Sequence, residues 1–124
     1  MNPTLRQGDW RLVNHWRHHL FGVRRGDLLV IRDPEIHGKV VKRLIGLPGD
    51  VVQIRLDGVY VNHRKLFEPY VAPHNYTWSR KMGTQPVPLR QGQYFVMGDN
   101  RLKSVDSRWY GPVSTSDLIG IVTE

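Results

Sequence analysis

The sequence contains no cysteine, which excludes a disulfide framework, a thiolate zinc site and a cysteine nucleophile. No uninterrupted apolar run approaches the ~18 residues that a membrane span requires, and no signal-peptide pattern follows Met1. The chain as given is therefore expected to be soluble. A sustained 3.6-residue apolar period is also missing, apart from a weak one around residues 10–21, so amphipathic helices are not expected. Internal repeats and low-complexity tracts are absent as well. Acidic residues are few, 11 Asp and Glu against 18 Lys and Arg. The resulting formal charge of +7 suits a negatively charged neighbour (nucleic acid, anionic lipid or an acidic partner) or serves solubility alone.

What is present reads as strand. Residues 10–13, 28–32, 40–45, 51–56, 59–62, 94–97 and 118–122 are short and rich in β-branched or aromatic side chains. Turn chemistry separates them at Arg25-Gly26-Asp27, Leu47-Pro48-Gly49-Asp50, Asp57-Gly58 and Arg90-Gln91-Gly92. Asp57-Gly58 is the clearest hairpin signal, predicting a type I′ turn with positive φ at both central residues. The expected fold is all-β, of coiled antiparallel sheets or a partly open β-barrel, as one domain over residues 1–124. Residues 67–86 hold three prolines and no clean period, so they read as a long irregular insertion, either functional or partly mobile.

Chemistry-bearing residues concentrate in a few segments. Alternation places Lys42 on one face with Val40 and Leu44. If that face is buried, desolvation lowers the lysine pKa and makes its neutral amine a usable general base. The competing reading is a lysine snorkelling from an edge strand. Gly46-Leu47-Pro48-Gly49-Asp50 is a tight turn, proline presetting φ and glycine allowing it to be positive. Gly98-Asp99-Asn100-Arg101 is open to two readings, a polar turn closed by Asx hydrogen bonds or a loop holding Ser104 beside a site. Asp106 and Arg108 suit a structural ion pair, weak if exposed. His15, His18 and His19 have no further ligand placed to complete a metal site, so no metal is expected.

In order and wording these segments resemble the bacterial type I signal peptidases, membrane-bound serine proteases that remove signal peptides from exported proteins. Met1-Asn2-Pro3-Thr4-Leu5 is similar to the family's Ser-Met-x-Pro-Thr-Leu box, and Arg25-Gly26-Asp27 opens a matching strand. The run from Lys42 to Asp50 matches the Lys-Arg box without a gap, and the run from Gly98 to Arg108 resembles the Gly-Asp-Asn-x4-Ser-x-Asp-Ser-Arg box. Val61-Asn62 and Glu68-Pro69-Tyr70 also look like the family's. The resemblance implies a serine–lysine dyad on an all-β fold, with no cofactor. It makes Lys42 the general base and Ser104 the residue that orients it. Asp99, Asp106 and Arg108 then support the site, and Met1, Leu5 and Val41 lie near shallow pockets for small substrate side chains. The implied partners are signal peptides of exported preproteins, bound as extended strands, and a membrane surface, with the catalytic domain on the extracytoplasmic face of the cell membrane.

One departure from the pattern matters. The family's nucleophilic serine stands immediately before the methionine that is Met1 here, and its oxyanion hole and membrane anchor lie upstream too. The chain as given is thus expected to be inactive, whether through truncation, a miscalled start or a true serine-less protein that binds signal peptides. Thr4 is not expected to replace the serine, since the family already has a threonine there in a structural role. Two rivals remain. Self-cleaving repressors use the same dyad but carry a DNA-binding helical domain, which nothing here resembles. A basic β-barrel would stack nucleic acid on Trp10, Trp16, Tyr94 or Trp109, although no nucleic-acid partner is expected. The cluster Arg11, Arg17, His18, His19, Arg24 and Arg25 is expected either to face anionic headgroups or to be a solvated loop.

Overall fold

The computed structural model describes residues 4, 12–14, 22–73, 75, 77 and 85–123. The alternating segments become strands: β1 (Leu12–Asn14), β2 (Leu28–Arg32), β3 (Lys39–Gly46), β4 (Val51–Arg55), β5 (Gly58–Val61), β8 (Gln93–Met97) and β10 (Leu118–Thr123). Three further strands have two residues each, β6 (Arg64–Lys65), β7 (Val87–Pro88) and β9 (Val113–Ser114). Such pieces are too short to show a period, and neighbouring strands alone make them extended. A one-turn helix α1 (Ser107–Tyr110) interrupts the chain between β8 and β9.

All pairings are antiparallel. They build a six-stranded sheet in the order β1-β10-β2-β3-β8-β9 and a four-stranded sheet in the order β6-β5-β4-β7. Neither closes on itself, so the expected all-β class is borne out as two open sheets. Among the described residues no helix is long and apolar enough to cross a membrane.

Period-two alternation sends β8 to two cores at once. Phe95 and Met97 join Ile45, Val52, Ile54, Val59 and Val61 in one cluster. Val96 joins Leu29, Ile31, Leu44, Val113 and Ile121 in the other. Each fully buried aliphatic or aromatic side chain contributes about 1.5–3 kcal/mol of burial. Register then settles where Lys42 goes: it pairs with Leu29, while Val40 pairs with Ile31 and Leu44 with Val96. Lys42 thus occupies the middle of an otherwise apolar row, on the face of the second cluster.

At the turn from β3 to β4, Gly49 has φ 93° and the Asp50 carboxylate accepts from Leu47 N at 2.9 Å, as the Leu-Pro-Gly-Asp signal demanded. The next turn differs from expectation. The β4–β5 hairpin forms, but Arg55 pairs with Gly58, so Leu56 and Asp57 are its central residues. Positive φ at both central positions occurs one hairpin later, at Asn62 (53°) and His63 (69°). The ladder decides this, because pairing Val52 with Val61 and Ile54 with Val59 buries all four side chains and leaves Leu56 in the turn, 93% exposed.

Candidate active site

Lys42 leaves β3 half-buried, and its Nζ donates to Ser104 Oγ at 2.9 Å. Burial is the largest influence on the ammonium and pushes its pKa below the ordinary 10.5. The charges of Asp106 and Asp33 push it back up, and that of Arg108 pushes it down. Lowering the pKa enlarges the fraction of neutral amine at a given pH, the form that can accept a proton from a hydroxyl.

The loop after β8 brings Ser104 to this point. Arg101–Lys103 forms a 3₁₀ turn, and Ser104 then packs directly on Gly98. A Cβ at Gly98 would lie 2.1 Å from Ser104 Oγ and 3.7 Å from Lys42 Nζ. Of the two arrangements open to the Gly98-Asp99-Asn100-Arg101 segment, the structure has the loop that sets Ser104 beside Lys42.

Asp106 locks that loop from behind. As N-cap of α1 its carboxylate accepts from Arg108 N at 3.1 Å and from Gly98 N at 2.9 Å. It also pairs with the Arg108 guanidinium at 2.9 and 2.8 Å. The same guanidinium donates to Arg101 O at 2.9 Å. Far from being a weak exposed pair, Asp106 and Arg108 are 0% and 5% exposed, so their charges act in a low dielectric beside Lys42. Burial by itself raises the Asp106 pKa, but hydrogen bonds and charge from Arg108 outweigh it and hold the carboxyl below 3.8.

Asp99 and Arg43 form a separate cluster on the other side of β3. Arg43 donates to Asp99 through Nε (3.1 Å) and Nη2 (2.6 Å) and through Nη1 to Gly26 O (2.9 Å). Thr4 Oγ1 accepts from Arg43 Nη2 at 3.1 Å and donates to Asp99. The Thr4 hydroxyl is therefore occupied away from Lys42. Val41 is half-buried opposite Val30, on the far side of the pleat from Lys42. Met1 and Leu5 lie outside the described residues. A cavity of about 360 Å³ opens beside Ser104, its walls including Leu102, Lys103, Val105 and Trp109.

These features can be set beside known proteins. The family model for signal peptidase, peptidase S26, matches residues 1–124. The chain belongs to this signal peptidase family. It is 33% identical to signal peptidase I V of Bacillus subtilis, covering 100% of the chain and 79% of that protein. It is 39% identical to signal peptidase I of Bacillus amyloliquefaciens, over 97% of the chain and 65% of the relative. The crystal structure of a signal peptidase I from Enterococcus faecalis superposes with a TM-score of 0.67 at 36% identity, covering 82% of this chain and 97% of that one. The family resemblance and its protease class are thus borne out, on a chain spanning between 65% and 79% of these two Bacillus relatives.

Within this signal peptidase fold, Lys42, Ser104, Asp106 and Arg108 come together, whereas Asp99 and Val41 lie across the pleat. Arg25 is engaged with Asp50 at 2.7 Å, while Arg11, Arg17, His18, His19, Trp10 and Trp16 lie outside the described residues. Tyr94 packs against the second core cluster. Sequence reasoning gave no role to Gly98, Arg43 or Arg101. For Arg43 a signal existed: in a Lys-Arg doublet within a strand, alternation must send the two charges to opposite faces.

Proposed function

We propose that this chain carries the general-base half of a signal-peptidase-type serine endopeptidase, with Lys42 as base and Ser104 as the residue that orients it. The observation supporting this most directly is the 2.9 Å contact between Lys42 Nζ and Ser104 Oγ on a desolvating face. In this reading the nucleophile is a serine immediately before Met1. The neutral Lys42 amine takes the serine proton as the hydroxyl oxygen attacks the scissile carbonyl, then delivers it to the departing amine. Lys42 next takes a proton from water, whose oxygen displaces the serine from the acyl carbon, and returns that proton to the departing serine oxygen, restoring the neutral amine and the serine hydroxyl. Ser104 holds the amine in line throughout, and the buried Asp106–Arg108 pair fixes the loop that carries Ser104. The substrates are signal peptides of exported preproteins, laid as an extended strand with Met1, Leu5 and Val41 shaping shallow apolar pockets, at a membrane surface on its extracytoplasmic side. No step calls for a metal or cofactor.

A paired cleavage assay tests this. The 124-residue chain and the same chain with serine added before Met1 are given a preprotein with alanine at the first and third positions before the cleavage point. Only the serine-bearing chain is expected to cut, and Lys42→Ala is expected to abolish cutting while the fold persists. Cleavage by the serine-bearing Lys42→Ala variant would reject the assignment. Binding without cleavage by the serine-bearing chain would favour a signal-peptide-binding protein instead.

A further inference from the structure

The Glu68-Pro69-Tyr70 motif has no part in the chemistry above, yet it touches Arg101 behind the Ser104 loop and Arg43, the chain neighbour of Lys42. Glu68 pairs with Arg101 through both carboxylate oxygens. Arg101 is 1% exposed, and its Nε donates to Gly98 O at 2.8 Å, on the residue against which Ser104 packs. Thr77 Oγ1 accepts from Arg101 Nη1 at 3.0 Å. Asn75 grips the same loop twice, donating to Asn100 Oδ1 at 2.8 Å and accepting from Leu102 N at 2.8 Å. Tyr70 faces the other way. Its hydroxyl donates to Glu68 at 3.0 Å, while its ring lies 4.2 Å from the guanidinium carbon of Arg43, the neighbour of Lys42.

We propose that Glu68, Tyr70, Asn75 and Thr77 act together as a strap that holds the 98–104 loop, and with it Ser104, against Lys42, with Glu68 and Tyr70 as positioning residues. This rests on the general-base reading of Lys42. A buried guanidinium deprived of its carboxylate does not stay in place, because an uncompensated charge in a low dielectric is costly. When Arg101 moves, it takes with it the hydrogen bond to Gly98 O, and the loop loosens. Water then reaches the Lys42 ammonium, which is otherwise desolvated and faced by Asp106, Asp33 and Arg108.

The sign of the response separates this from a simple charge effect. Removing a carboxylate, taken alone, lowers the pKa of an ammonium nearby, whereas hydrating that ammonium raises it. The test is to titrate Lys42 by NMR on the isotope-labelled chain. The parent midpoint is expected below 10.5, and Glu68→Ala is expected to raise it by about half a unit or more. Asn75→Ala, which changes no charge, is expected to raise it in the same direction by less. An unmoved or lowered midpoint in folded Glu68→Ala overturns the strap, since a purely structural role would reduce thermal stability without moving Lys42. If Glu68→Ala does not fold, Asn75→Ala decides: a raised midpoint supports the strap and an unmoved one overturns it. A parent midpoint at the ordinary lysine value overturns the general-base reading and the strap together. A depressed parent midpoint with unmoved variants overturns the strap alone.

Discussion

Gly98 and Ser104 contend for one volume: a Cβ on Gly98 would sit 2.1 Å from the Ser104 hydroxyl oxygen and 2.5 Å from its Cβ. The missing side chain is what allows Ser104 to reach Lys42. Gly98→Ala is therefore expected to push Ser104 off its seat. Urea unfolding should show a loss of about 1–3 kcal/mol from overpacking. In a serine-bearing chain, cleavage should fall about a hundredfold, the usual effect of shifting the group that positions a catalytic side chain by about an ångström. Full activity in the alanine variant would show that Ser104 need not sit where it does.

Lys42 gives a pH-dependent stability of definite sign. The folded protein binds its proton less tightly than the unfolded chain, in which the side chain titrates near 10.5. Below the folded midpoint the buried ammonium carries its full desolvation penalty. As pH climbs from that midpoint towards 10.5 the folded state holds fewer protons than the unfolded one, and stability rises. Lys42→Met is thus expected to be more stable than the parent below that midpoint, with an advantage that shrinks across that window. Urea midpoints measured across pH check it, and an advantage that grows with pH would contradict the burial of a charged lysine.

Activity should follow the same group. In a serine-bearing chain, kcat/KM is expected to rise with pH on a limb set by Lys42 deprotonation, its midpoint below 10.5. Lys42→Arg should be inactive at every pH, because a guanidinium gives up no proton. An unchanged rising limb in that variant would assign the base elsewhere.

Asp106 gives a stability that also rises with pH, but in the acid range and through a favourable interaction gained rather than a burial penalty relieved. Its folded pKa lies below 3.8 because the bonds and charge of Arg108 outweigh burial. The stability it contributes is present above 3.8 and is lost as pH falls through the folded value. Asp106→Ala removes the carboxylate from a buried guanidinium and uncaps α1, an expected loss of about 3–5 kcal/mol at neutral pH. The gap from the parent should narrow in acid, below 3.8. Denaturant curves at neutral and acid pH test both statements.

Arg43 is a fork that lysine cannot copy. It binds both Asp99 oxygens, the Gly26 carbonyl and Thr4, and lies over Tyr70. Arg43→Lys keeps the charge but only one point of contact, so a loss of about 2 kcal/mol or more is expected in urea unfolding. A near-neutral result would mean that the charge alone, and not the fork, holds Asp99.

The sequence by itself determined the β class, the position of most strands and the family. Alternation, turn residues and motif order are local properties, written within a few residues of where they act. That is why Leu28–Arg32 appears with its expected bounds and Lys42 shares a row with Val40 and Leu44. Tertiary structure alone decided the rest. Ser104 meets Lys42 across 62 positions because β3 and β8 are neighbours in the sheet, and strand order is not encoded in any single strand. The β4–β5 turn moved because a four-residue ladder outweighs the preference of one Asp-Gly pair. Asp106 and Arg108 changed from a weak pair to a strong support through burial, and Glu68 met Arg101 for the same reason. Burial is created by elements distant in the chain, so only the assembled sheets could fix what these charges do.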